Sequence, residues 1–285
     1  MADRLINILV TITLIEMMVS IGLGVTFADL VKVARDWWLI GRAVAANYLC
    51  VPAATVLLLV LFDPHPMIAA GFLILAVCPG APFAPACAKI ARGDVAAAVG
   101  WMAILAGSSA IVAPLLLYFL LPFISANETL RVDPIRIVIS LLVVQLFPLL
   151  VGLGLRHWRR AWAEKIQRPA NLMSAVLSLL TVGVILFVHY PLLLEIRPRG
   201  YVGMAILLIV SWAAGWLLGG YSAELRKSLA LTTSLRNVGV GLVIASASFP
   251  GTAAVTSVLA YGIFEIFGSI LLALWWARRA NATSR

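Results

Sequence analysis

The sequence predicts an all-α integral membrane fold with nine transmembrane helices, two of them broken near mid-depth, and three observations carry that prediction. The chain is 63% hydrophobic and only 12% charged over 285 residues, too little polar surface to cover a water-soluble globule. Its apolar runs are long enough to cross a bilayer, which takes about 20 helical residues. Two runs are interrupted in their middles, one by Cys78-Pro79-Gly80-Ala81-Pro82-Phe83-Ala84-Pro85 and the other by Thr232-Thr233-Ser234-Leu235-Arg236-Asn237.

In order, the crossings are 5–27, 38–62, 67–91, 95–123, 134–156, 170–190, 200–220, 223–249 and 252–278. They are roughly two to three times too long for barrel strands and lack in-out alternation, which excludes a β-barrel. Met1 to Arg4 ahead of an apolar run resembles a secretory leader. The run continues to about Phe27 without a small-residue cleavage pattern, so it reads as a retained helix. Loops are a few residues long, and 1–285 reads as one membrane domain with no soluble appendage. The formal charge of +9 sits in loops beside the crossings, so topology explains it and a nucleic-acid partner is not expected. Of 21 Lys and Arg, 15 fall on one side and 5 (Arg4, Arg131, Arg136, Arg197, Arg199) on the other, with Arg236 inside. This puts the N-terminus outside and the C-terminus in the cytoplasm, in a bacterial inner membrane. Trp37, Trp38, Trp275 and Trp276 then fall at the cytoplasmic interface as an aromatic belt. Cys50, Cys78 and Cys87 lie in apolar runs and read as free thiols; His65, His157 and His189 lack metal-ligand spacing.

Topology exposes an internal repeat. The third crossing, with its proline-rich break, runs inward and turns at Arg92-Gly93-Asp94; the eighth, with its polar break, runs outward and turns at Phe249-Pro250-Gly251. The same unit occurs twice in opposite orientation, about 5–123 with four helices and about 134–278 with five. Paired broken helices in an inverted repeat mark a secondary transporter.

The chemistry lies at the breaks. Pro79, Pro82 and Pro85 remove three donors and should end one half-helix and start another. The second break has hydroxyls, with Gly239 and Gly241 beyond it. Non-helical backbone at membrane depth survives only inside protein or beside a water-filled cavity. Two half-helix N-termini, near residues 86 and 238, would converge there, and their positive dipole ends with Arg236 make an anion site. The expected substrate-binding set is Arg236, Asn237, Thr232, Thr233, Ser234, Pro82, Ala84 and Asn47. Glu265 and Glu16 are the acidic residues near mid-depth, each a counter-ion or a proton carrier. The plainer readings stay open: a proline kink, a structural Arg236 ion pair, and a helix-helix hydrogen bond from Asn47.

Cys78-Pro79-Gly80, Ala91-Arg92-Gly93-Asp94, Arg236-Asn237 and Phe267-Gly268-Ser269, in order and spacing over nearly the whole chain, resemble the bile acid:sodium symporter family. The resemblance implies inverted five-helix repeats, a panel and a core domain with the broken helices crossing in the core, and Na+-coupled uptake of organic anions such as bile acids, pantoate or keto acids. It also implies that this chain is a divergent bacterial-type member without the family's first helix. At the family's sodium positions the match fails in kind. The Ser and Asn after Cys-Pro-Gly correspond to Ala84 and Pro85, and the hydroxyls of the next helix to Ala98 and Met102. The Glu and Gln of the second break correspond to Thr232 and Arg236. Asn47, at a polar sodium-site position, and Asn237 alone remain in kind. A guanidinium about 4 Å from Na+ repels it by about 4 kcal/mol at an effective dielectric of 20.

These readings converge on a secondary carrier for a small organic anion, carboxylate or bile-acid-like, working by alternating access in the lipid bilayer with Arg236 as fixed cation. No cofactor is expected; Na+ dependence is in doubt, and H+ is the other candidate coupling ion. The rivals are a sodium-coupled symporter with displaced ion sites, an efflux carrier, and a membrane sensor or scaffold in which Arg236 and Glu265 are locked together. An enzyme is not expected, because no catalytic Ser-His pair, aspartate pair or metal motif falls at membrane depth.

Overall fold

The computed structural model describes residues 2–124, 130, 132–194 and 198–282. Arg131, Arg197 and Arg285, counted above for orientation, lie outside the described residues, as do the side chains of Arg4 and His189. The described residues are helical apart from turns and one isolated antiparallel bridge. The helices are α1 (Ala2–Gly24), α2 (Phe27–Arg35), α3 (Trp37–Phe62), α4 (Pro66–Ala76), α5 (Ala84–Ile90), α6 (Val95–Ile124), α7 (Pro134–Trp158), α8 (Arg160–Leu194), α9 (Pro198–Leu218), α10 (Ala223–Ser234), α11 (Val238–Ser248) and α12 (Ala253–Ala282). Seven of them, α1, α3, α6, α7, α8, α9 and α12, are long and apolar enough to cross a membrane. The pairs α4/α5 and α10/α11 are the two interrupted runs.

The ends follow the capping chemistry of the sequence. Thr26 and Asp29 form a reciprocal capping box at the start of α2, Asp133 caps α7 through Ile135 N–H and Arg136 N–H, and Ser222 caps α10 through Leu225 N–H at 3.2 Å. Each satisfies main-chain donors that a helix start leaves open. Gly251, at φ +68°, turns the chain between α11 and α12.

Three features differ from the sequence reading. The stretch after the first crossing is helix α2, with Val33 against Gly100 of α6 and Phe27 and Val31 exposed. The loop expected before the sixth crossing shrinks to Arg159, and the basic residues from 160 to 168 lie on the first turns of α8. The breaks are also shorter than expected: residues 77–83 and 235–237 are non-helical, so Thr232, Thr233 and Ser234 belong to α10 and the half-helices start at Ala84 and Val238.

α1, α7 and α8 pack on one another, and α3 to α6 with α9 to α12 gather around the breaks; contacts of α1 with α11, α6 with α7 and α8 with α12 join the two groups. Thr13 to Thr181 (2.7 Å) and Ser20 to Asn171 (2.7 Å) tie α1 to α8, polar links of the kind that join helices in an apolar surround. α1 and α7 cross at a glycine pair: a Cβ on Gly22 would lie 2.3 Å from Leu149 O, and one on Gly152 2.3 Å from Val19 O. Overfilling that crossing with Gly152→Leu is expected to cost about 1–3 kcal/mol or more and to lower the melting temperature in detergent. Gly41→Ala, with nothing within 4 Å of the new carbon, serves as the control and leaves melting unchanged or raised.

Candidate functional site

The two breaks meet. Pro79 and Arg236 form the isolated antiparallel bridge, and Asn237 N–H donates to Cys78 O at 2.7 Å. The Asn237 side chain works in both directions, its amide nitrogen donating to Gly80 O (3.4 Å) and its oxygen capping Val240 N–H of α11 (3.2 Å). Gly80, at φ +90°, lies against α6 so closely that a Cβ there would sit 2.5 Å from Ala106 N. α10 ends in an extended Leu235, which takes the next N–H, that of Arg236, out of the helical ladder. Glu265 of α12 accepts that N–H on Oε1 at 2.7 Å. A buried donor without a partner is costly, and the carboxylate removes that cost.

The Arg236 side chain turns toward α3, where residues 46–50 form a π turn. There Val51 N–H bonds Ala46 O, and Pro52, next in line, has no N–H to give. The Asn47 carbonyl is left without a main-chain donor, and Arg236 Nη1 approaches it at 3.4 Å. The Asn47 amide nitrogen donates to Ala43 O (2.9 Å) and Thr233 Oγ1 (3.2 Å). Arg236 is 2% exposed and Glu265 0%, yet no carboxylate among the described residues lies within 4.0 Å of the guanidinium. Arg236 Nε and Nη2, Asn47 Oδ1 and Glu265 Oε2 are buried without a hydrogen-bond partner. Nε and Nη2 share one edge of the guanidinium plane, the edge that takes both oxygens of a carboxylate side-on.

The other candidates divide. Thr233 stands beside Asn47, and Ser234 pairs with Ser269 of α12 at 2.9 Å. Thr232 is bonded back to Ser228 O at 2.8 Å. Ala84 is enclosed in an apolar cluster with Ala81, Cys87, Leu231, Leu235 and Ala273; Pro82 is half-buried in the turn before α5. Glu16 is not brought to Arg236: it lies on α1, half-buried, accepting from Ser174 of α8. The N-terminus of α11, expected to face an anion, is partly closed by its own Asn237 cap. Tyr48, Tyr261 and Cys78 lie within electrostatic range of Arg236. The two tyrosines went unread in the sequence, although Tyr48 follows Asn47 and Tyr261 precedes Glu265 by one helical turn on the same face.

Of the positions that the resemblance assigns to sodium, most do not fit it; Asn47, with its amide Oδ1 buried and unpartnered, keeps an oxygen that could. Ala84, Pro85, Ala98 and Met102 offer no side-chain oxygen for a hard cation, the Thr232 hydroxyl points back into its helix, and Arg236 brings a like charge. Apart from this centre, a cavity of about 510 Å³ opens between the ends of α3, α4, α9 and α12, lined by Leu59, Phe62, His65, Phe72, Arg199 and Thr256 among others. Phe72 stands 5.5 Å, ring to ring, from Tyr261.

A helical membrane body whose broken helices meet beside a buried arginine and carboxylate is the build of a membrane transporter. Residues 11–196, well over half of the chain, match the Sodium Bile acid symporter family, and the chain belongs to that family, one of transporters rather than enzymes. It is 25% identical to the uncharacterized sodium-dependent transporter YocS of Bacillus subtilis (strain 168), over 95% of this chain and 84% of that one. It is 22% identical to the probable chloroplastic sodium/metabolite cotransporter BASS2 of Oryza sativa subsp. japonica, over 97% of this chain and 66% of that one. With the probable chloroplastic sodium/metabolite cotransporter BASS1 of Arabidopsis thaliana it shares 25% identity, over 80% of this chain and 57% of the relative. The chain thus spans less than two thirds of these plant relatives. The family is sodium-coupled, which weighs against the expectation of no cofactor and of a doubtful role for Na+.

The Asn237 side chain ties two main-chain groups, Gly80 O across the breaks and Val240 N–H of its own half-helix, so Asn237→Ala is expected to lower stability by about 1–2 kcal/mol. Thermal melting of the detergent-purified protein measures it, with Thr232→Val, which removes only a bond back into its own helix, as the milder comparison.

Proposed function

We propose that the protein is a secondary active carrier that moves a small organic anion, carboxylate or bile-acid-like, across the membrane by alternating access, with Arg236 as the fixed cation that binds it. The observation that carries this reading is the unused Nε and Nη2 edge of a buried arginine whose third nitrogen is held by the Asn47 carbonyl. An arginine so placed is preorganised for a carboxylate and offers nothing to a metal cation. The packing supports α1, α7 and α8 as a panel and the remaining helices as a core, with about 5–123 and 134–278 as opposed repeats of one membrane domain spanning 1–285. The charge distribution supports a bacterial inner membrane, with the N-terminus outside and the C-terminus in the cytoplasm. Asn47, Thr233 and Asn237 frame the site; Glu265 is its counter-charge.

A second reading is a sodium-coupled symporter with displaced ion sites. Two buried oxygens without partners, Asn47 Oδ1 and Glu265 Oε2, favour it, and so does the sodium dependence named for the relatives. The locked sensor or scaffold loses its main support, because the Arg236 guanidinium and the Glu265 carboxylate are not joined in a salt bridge.

The test is a thermal-shift and uptake series with pyruvate, benzoate and cholate in K+ buffer, repeated in Na+, on wild type and Arg236→Gln. A carboxylate is expected to raise the wild-type melting temperature without Na+. Arg236→Gln loses that rise, because removing one partner of a buried charge pair costs about 2–5 kcal/mol of binding. Stabilisation that requires Na+ and survives in Arg236→Gln selects the second reading.

A further inference from the structure

We propose that Glu265 is the coupling site of the carrier and takes up one proton for each carboxylate bound at Arg236. The inference rests on the carboxylate reading of Arg236 and adds to it the ion that moves with the substrate.

The argument begins with charge. Among the described residues the buried charged side chains are Arg236 and Glu265. Both ionised, they sum to zero in a region shut off from water. A carboxylate arriving on the free edge of Arg236 leaves one negative charge without compensation, and an unpaired charge in such a place is strongly unfavourable. The site then returns to neutrality by gaining a proton.

The groups that bear on Glu265 are Arg236 from the second break and Tyr261 from its own helix, with Cys78 of the first break and Tyr48 of α3 around the guanidinium. Cys87 of α5 lies in the apolar cluster, and Glu16 is engaged by Ser174. Tyrosine and cysteine already hold their protons at neutral pH, and arginine holds its charge. Asn47, Thr233 and Ser269 do not titrate. Glu265 is therefore the group at this site able to accept another proton.

Its geometry suits the task. Oε1 is occupied by Arg236 N–H at 2.7 Å, whereas Oε2 is buried and without a partner. A proton on Oε2 leaves Oε1 free to go on accepting the main-chain N–H, so the break stays satisfied in both protonation states. The proton enters from water with the carboxylate and leaves with it on the other side, and the loaded and empty sites carry the same net charge. Transport is then electroneutral, one H+ per monocarboxylate. The sign of the linkage follows: binding is full at low pH and weakens as pH rises through the titration of Glu265 in the empty site.

Calorimetry of the full chain in detergent, in Na+-free buffers of different ionisation enthalpy, counts the protons, with pyruvate as the small probe and cholate as the large one. At pH above the empty-site titration of Glu265, wild type is expected to take up about one proton per carboxylate, and its affinity to fall about tenfold per pH unit there. Glu265→Gln keeps a carbonyl oxygen for Arg236 N–H; it should bind the same probe with no proton uptake and no pH slope. Wild-type binding with neither proton uptake nor a pH slope anywhere across a pH series overturns the proposal, as does proton uptake that persists in Glu265→Gln. If Glu265→Gln does not fold, the wild-type proton count decides alone. Absence of binding by both probes in wild type removes the carboxylate reading of Arg236 itself, and the coupling with it.

Discussion

An interrupted helix inside an apolar interior must find partners for the main-chain groups that the interruption frees, and that constraint shapes this molecule. Each break supplies what the other lacks: Cys78 O and Gly80 O of the first accept from the main chain and amide of Asn237 in the second. Where the exchange falls short, at Arg236 N–H, the Glu265 carboxylate completes it. The breaks are therefore held side by side, and four half-helices are fixed with them. The approach of Gly80 to the backbone of α6 extends the same constraint to a helix that is itself unbroken.

What could be read from the sequence follows from which signals are local. Long apolar runs announce membrane helices by length alone, and three prolines or a mid-run arginine announce breaks. The width of a break is less legible. Thr232 and Ser234 read as backbone openers, yet each hydroxyl bonds a carbonyl of the preceding turn and the helix persists to Ser234. α2 went unread because Lys32 and Arg35 look like loop charge, although Thr26 and Asp29 carry a capping signature three residues apart.

The site shows the same division. Arg236, Asn47 and Glu265 were picked out by being polar at depth, and the structure gathers them. Depth alone ranks Glu16 equally with Glu265, since only the packing of α1 against α8 decides which face carries the carboxylate. The two π turns, at 46–50 and 142–146, leave no propensity signal beyond the proline that follows each, Pro52 and Pro148. One of them aims a carbonyl at Arg236; the other lies where Gln145 of α7 reaches Ser109 of α6 at 2.8 Å.

A guanidinium anchored to the chain differs from a bound ion in one respect that matters for transport. Na+ binds on one side and dissociates on the other, and the difference in its concentration does work on the substrate. Arginine neutralises an anion as well as a bound cation does, but it travels both ways with its charge and extracts nothing from a gradient. With Arg236 in place of a diffusible cation, as proposed above, two roles that a sodium site unites, holding the anion and driving it, come apart. In the reading proposed here the first role stays with Arg236. The second must fall to a group that exchanges its charge with water during the cycle, and a carboxylate with one oxygen engaged and one free is equipped to do so without loosening the break it supports.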